Sequence, residues 1–95
     1  MTATHDQWLD AFDIAYRAVP GPYDLACPNC GHHRLNVVFT GDRDRLIGYA
    51  AFWCDHCLQG IVTSRTHIPE EAVIRDIHLP AEEREPKIPN FRLAT

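Results

Sequence analysis

Every cysteine in this chain belongs to one of two short pairs, Cys27-Pro28-Asn29-Cys30 and Cys54-Asp55-His56-Cys57. A Cys-x-x-Cys turn brings both of its sulfurs to one point, and two such turns supply four thiolates in the tetrahedral arrangement that suits a metal ion, most often zinc. For a chain of 95 residues this constrains the fold strongly. The core of so short a chain is limited, and a metal cross-link between two turns dictates how the chain between them folds back. One domain spanning residues 1–95 is expected. The same cysteines could form two disulfides instead, and the compartment bears on that choice. Met1 to Asp10 carry no cationic stretch followed by an apolar run, so no signal peptide is read there. No stretch is apolar for long enough to cross a bilayer. A cytoplasmic location is the expectation, and there paired cysteines are more often metal ligands than disulfides.

Charge argues about partners. With 9 basic and 13 acidic side chains the formal charge is −4, and no basic stripe of the kind that follows a nucleic-acid backbone is visible. Arg17 stands against Asp6, Asp10, Asp13 and Asp24 before the first cysteine pair. Between the pairs and just beyond, Arg34, Arg43, Arg45 and Arg65 nearly balance Asp42, Asp44 and Asp55. Residues 68–95 are again acidic on balance.

The element pattern is legible in the hydrophobic spacing. Residues 4–19 predict an amphipathic helix: Thr4 and Gln7 have capping-box spacing, and Trp8, Phe12, Ala15 and Val19 fall on one face, widened by Leu9 and Tyr16. Pro20-Gly21-Pro22 would stop it. Three strands are predicted after the first cysteine pair. In Arg34–Thr40, Leu35, Val37 and Phe39 alternate with more polar neighbours. Residues 41–45 have turn composition and would close a hairpin with Leu46–Trp53, which is apolar on both faces and so reads as central. Gly60–His67 supplies the third strand. From Pro69 the texture changes. Pro69 and Pro80 each precede acids where a helical turn can begin, and Pro86 and Pro89 favour an extended tail in which Ile88, Phe91 and Leu93 are apolar enough to pack.

At Cys27-Pro28-Asn29-Cys30-Gly31 and Cys54-Asp55-His56-Cys57, with their three β segments, residues 25–67 resemble the zinc-ribbon family. The flanks resemble small bacterial proteins of this architecture with no assigned activity. The resemblance implies a three-stranded antiparallel sheet with one structural zinc ion between two knuckles, held by Cys27, Cys30, Cys54 and Cys57. The expected fold is therefore a small α+β protein: a zinc ribbon at 25–67, a helix at 4–19 and an irregular C-terminal arm at 68–95. Leu58 departs from the family pattern, because glycine often follows the last cysteine.

Ribbon proteins serve many functions, and the fold does not choose among them. The hairpin tip offers Asp42 and Asp44 alternating with arginines, not the adjacent acidic pair of elongation-factor ribbons. Rubredoxins hold iron with two similar clips, and Tyr49, Phe52 and Trp53 give this site some aromatic surroundings, so an iron electron carrier is one alternative. A free Cys-x-x-Cys acting in thiol exchange is another. No phosphate loop or nucleophile elbow is present, and a site closed by four cysteines leaves no open coordination position. The sequence therefore reads as a non-enzymatic zinc protein acting through contacts with another protein, with nucleic-acid binding as the runner-up. The candidate contact surface is the sheet around Tyr49 and Trp53 or the helix stripe at Trp8, Phe12 and Tyr16, although each of these aromatics reads first as core. His32, His33 and His56 read as a polar rim, with a second, weaker metal site or a pH-sensitive contact as the sharper alternatives. His5, His67 and His78 are scattered.

Overall fold

The computed structural model describes residues 3–19, 24–85 and 87–94. It contains a helix α1 (His5–Ala18) and strands β1 (Leu35–Asp42), β2 (Ile47–Cys54), β3 (Gln59–His67), β4 (Ile74–Asp76) and β5 (Arg92–Leu93). All five strands join one sheet in the order β4-β1-β2-β3-β5.

The start of α1 follows from its first residues. Thr4 Oγ1 accepts the Gln7 N–H at 3.2 Å and Gln7 Oε1 accepts the Thr4 N–H at 2.8 Å, so two donors with no partner inside the helix are satisfied reciprocally. Pro20-Gly21-Pro22 lies outside the described residues; the last described bond there runs from the Val19 N–H to the Tyr16 carbonyl. The apolar face packs on the sheet through edge-on aromatic contacts, Trp8 with Phe52 at 5.7 Å, Phe12 with Phe52 at 5.8 Å and Tyr16 with Phe39 at 6.0 Å. The Tyr16 hydroxyl donates to the His67 carbonyl. Trp8 and Ala15 are fully buried, whereas Leu9, expected on the packed face, is exposed.

Strands β1, β2 and β3 form the antiparallel meander that the alternation predicts, with β2 central and buried from Ala50 to Cys54. The hairpin turn is shorter than its composition suggests, because Gly41 and Asp42 continue β1. Gly41 pairs with Gly48, where the strands come so close that a Cβ on Gly41 would stand 2.8 Å from the Gly48 Cα and 2.9 Å from Ile68 Cδ1. Asp42 closes the turn by accepting the N–H groups of Asp44 and Arg45. The Asp44 N–H first, then the His78 ring and the Arg45 N–H, hold its carboxyl below the usual range. Opposite Tyr49, between Gly48 and Ala50, β3 carries a bulge whose Arg65 has φ +52.

The sheet is not the expected three-stranded antiparallel one, and the arm is not irregular. Residues 68–94 contribute both outer strands, each parallel to its neighbour: β4 beside β1 and β5 beside β3. The physical reason is placement of apolar residues. Ile68 and Ile74 pack with Phe39 and Ala50 on the helix side of the sheet. Ile88 and Phe91 then pack on Val38, Ala51 and Trp53 on the opposite side. The arm therefore passes from one edge of the sheet to the other across that face. Pro69 and Pro80 start single turns, closed by Ala72 N–H to Pro69 O and Glu83 N–H to Pro80 O, and neither grows into a longer helix. Trp53, which the sequence offers first as a core residue and second as a contact on an exposed sheet face, is core: it is only 4% exposed and stacks on Phe91 at 5.7 Å. Leu93, expected to pack, is 59% exposed. No helix among the described residues is long and apolar enough to cross a membrane.

The contrast between Trp8 and Leu9 gives a direct test. Trp8→Ala should destabilise the protein by about 3–5 kcal/mol, and Leu9→Ala by less than about 0.5 kcal/mol, in urea unfolding of the metal-loaded chain.

Candidate metal centre

Both cysteine pairs sit where a turn leads into or out of the meander. The first precedes β1; the second spans the end of β2 and the turn into β3. The two turns have matching geometry. In the first, the Gly31 N–H donates to the Cys27 carbonyl at 2.9 Å; in the second, the Leu58 N–H donates to the Cys54 carbonyl at 2.9 Å. Gly31 has φ +80 and Leu58 has φ +53, so the position after each second cysteine is left-handed. The departure noted at Leu58 is thus accommodated: leucine adopts the conformation that glycine takes more easily. Backbone N–H groups point at sulfur in both turns, from Asn29 and Cys30 to Cys27 Sγ and from His56 to Cys54 Sγ.

The four sulfurs all lie within 4.8 Å of one another. Cys27 Sγ and Cys57 Sγ are 3.8 Å apart, and Cys30 Sγ and Cys54 Sγ are 3.6 Å apart. A tetrahedron with ion–sulfur bonds of about 2.3 Å has edges of about 3.8 Å. A disulfide needs about 2.05 Å. The spacing thus suits four sulfurs around one central ion, and the group can hold a metal. Cys27 and Cys54 are buried, Cys30 and Cys57 half-buried, and the buried pair belongs to the same apolar cluster as Trp8, Leu35, Phe52 and Ile61.

Neighbouring side chains fix both turns, and these were not singled out from the sequence. Asn29 Oδ1 accepts the Ala3 N–H at 3.0 Å, which ties the approach to α1 onto the first turn. The Asn29 side chain also hydrogen-bonds to Cys57, linking the two turns. Asp55 accepts from Trp53 Nε1 at 2.9 Å and from Asn36 Nδ2 at 2.7 Å, while its N–H donates to the Arg34 carbonyl. The available signal was position, since Asn29 and Asp55 are the polar residues inside the two x-x segments. Of the histidines, His33 pairs with Asp24 at 2.6 Å, whereas His32 and His56, one beside each turn, stack at 3.6 Å. His78 approaches Asp42 at the far hairpin turn, and His67 ends β3.

The thiols differ in acidity without a metal. Burial pushes Cys27 up to about 12, against backbone hydrogen bonds from Cys30 and Asn29 that lower it, and burial also raises Cys54. Burial acts on Cys57 in the same direction, but hydrogen bonds from the Asn29 side chain, the Gln59 N–H and the Cys27 and Cys54 thiols bring it below its ordinary value. Cys57 is therefore the first of these three thiols to ionise, and uptake of a cation must expel the protons that Cys27 and Cys54 hold at neutral pH.

No protein-family model, curated protein or solved structure matches this chain. The geometry is consistent with a ribbon-like site, and it rests on the residues themselves.

Two outcomes follow from this centre. Gly31→Val places a β-branched side chain at a left-handed position and should lower the stability of the metal-loaded protein by about 1–2 kcal/mol in urea unfolding. Leu58→Gly should change it by less than about 0.5 kcal/mol, because relief of strain is offset by greater freedom in the unfolded chain. The second outcome concerns pH. Folded Cys27 keeps its proton up to about 12, while a thiol in the unfolded chain loses it near 9.0. The metal-free protein should therefore lose stability as pH rises through this window, because there the folded state binds more protons. The metal-loaded protein, whose thiolates are already deprotonated, should not. Thermal melts of both forms across that range decide it.

Proposed function

We propose that Cys27, Cys30, Cys54 and Cys57 bind one structural zinc ion, and that this ribbon-like centre holds a small cytoplasmic scaffold that docks on another protein without catalysing a reaction. The observation that carries the reading is the spacing of the four sulfurs, 3.6 and 3.8 Å across two pairs, which matches the edge of a zinc–thiolate tetrahedron. Four thiolates complete that coordination, so the ion in this centre has no open position for a substrate. A site of four sulfurs also accepts iron. Zinc is preferred because Trp8, Leu35, Phe52 and Ile61 surround the buried cysteines as part of the core, a placement suited to a structural cross-link.

The docking surface is moved from the place the sequence suggested. Trp8 and Trp53 are core. Val62 and Leu93 lie on the sheet face opposite the helix, since Val62 pairs with Ala51 and Leu93 pairs with Gly60, which pairs with Trp53. They are 46% and 59% exposed, and they give that edge an apolar surface that a protein partner can cover. Nucleic acid fits less well. Of the four arginines that would form its patch, Arg43 and Arg45 stand at the hairpin turn, Arg65 at the β3 bulge opposite Tyr49, and Arg34 at the other end of β1, separated from the hairpin pair by an eight-residue strand of about 27 Å. Arg43 also spends one nitrogen on the Ile74 carbonyl.

Metal analysis of protein purified without added metal tests the first part. One zinc per chain, with no visible colour, is the expected result, and Cys54→Ser should abolish it and lower the melting temperature toward that of the metal-free protein. A red, iron-containing protein would replace this reading with electron transfer. For the second part, Val62→Asp with Leu93→Asp should leave zinc content and melting unchanged while abolishing recovery of a partner in pull-downs from cells. Retained capture would remove this surface from the proposal.

A further inference from the structure

The matched turns bring a second set of donors together outside the four-cysteine group. Cys30 Sγ and ring nitrogens of His32 and His56 lie within 4.8 Å of one another. His32 follows the first turn by two residues and His56 lies within the second, so closing the two turns on each other stacks their rings at 3.6 Å and 14°. Both rings are exposed, and neither has a hydrogen-bond or ion-pair partner among the described residues. That separates them from His33, paired with Asp24, and His78, paired with Asp42. Two imidazoles and a thiolate form a borderline-soft donor set of the kind that favours zinc, cobalt or copper over calcium or magnesium.

We infer that Cys30, His32 and His56 form a second metal site, for a divalent transition-metal ion held beside the first and sharing the Cys30 thiolate with it. The inference rests on the four-cysteine reading above, because Cys30 must already be a metal-bound thiolate. Charge supplies the attraction. Four thiolates around one divalent ion leave a net charge of −2, and a thiolate bound to one metal keeps lone pairs that can bridge to another. A second divalent ion at Cys30 neutralises that excess. The donor atoms lie no farther than 4.8 Å from one another, and rotation of the exposed rings about their side-chain torsions brings them to bonds of about 2.0–2.3 Å around one ion. Three protein ligands leave the second ion one open position, filled by water or by a donor from another molecule. The site is accessible and held by two exposed rings, so its affinity is well below that of the buried centre.

The test adds cobalt to the 95-residue chain already loaded with one zinc. Cobalt does not displace zinc from four thiolates readily, and it reports its own ligands by colour. The expected result is one cobalt per chain bound without loss of zinc, with a thiolate-to-cobalt charge-transfer band in the near ultraviolet from Cys30. In H32A/H56A the cobalt affinity should fall at least ten-fold and the band should vanish, while H33A/H78A should behave like the wild type. The substituted side chains are exposed, and retention of the first zinc in each variant verifies that the fold is intact. Failure to bind cobalt, equal binding by H32A/H56A, absence of the charge-transfer band, or release of zinc as cobalt binds would each overturn the inference. Failure to hold the first zinc would overturn the four-cysteine reading itself, and so the two are told apart.

Discussion

The approach of four sulfurs to one point is the constraint on which the rest of this structure hangs. Cys27 and Cys54 are at once candidate ligands and members of the apolar cluster under α1. The chemistry of the centre and the packing of the core therefore cannot be varied separately. Structural zinc contributes about 10–16 kcal/mol of apparent binding free energy at neutral pH, which is as large as the whole stability of an ordinary small domain, about 5–15 kcal/mol. Without an ion, the same four groups become thiols, of which the two buried ones, Cys27 and Cys54, are raised by their burial. An ion would convert two groups that resist ionisation, together with two half-buried neighbours, into the strongest cross-link in the chain.

Much of this was readable in the residues because it is local. The capping box at Thr4 and Gln7, the alternation through Leu35, Val37 and Phe39, and the two Cys-x-x-Cys turns are each decided within a few residues, and each is found where the sequence puts it. The outer strands were not readable. Ile74–Asp76 and Arg92–Leu93 are three and two residues long, too short to show a period, and they pair with β1 and β3 in parallel across long stretches of chain. The choice between core and contact surface for Trp53 was not readable for the same reason. Its cover is Phe91, far along the chain, and nothing near Trp53 announces it. Leu58 shows the opposite case, in which a local rule favouring glycine yields to the demands of the turn.

The site's surroundings also make sense only in three dimensions. Asn29 connects the helix approach, the first turn and Cys57, while Asp55 connects Trp53, Asn36 and Arg34 around the second. Each turn is thus held by an amide or carboxylate outside the four-cysteine group, so the sulfur geometry is set from outside as well as by the turns themselves. The division of the molecule is clear in these terms: the cysteine end carries the candidate ligands, the stacked histidines and Arg34, and the hairpin end carries Asp42, Arg43, Arg45 and, at the nearby bulge, Arg65.

The wrapped arm has a further consequence. A meander of three long strands would present β1 and β3 as open edges, each a row of unpaired backbone groups able to recruit another chain. Here β4 covers part of the first edge and β5 part of the second, and both covering strands are too short to offer a long template in turn. Arg92 N–H to Leu58 O and Ala94 N–H to Gly60 O seat β5 directly after the second cysteine turn. Loosening of that turn would unseat β5 and bare the backbone of Gln59 and Gly60, lengthening the open part of the β3 edge at the end next to the cysteines. The second turn and the cover of that edge are therefore linked, through a segment that supplies no ligand.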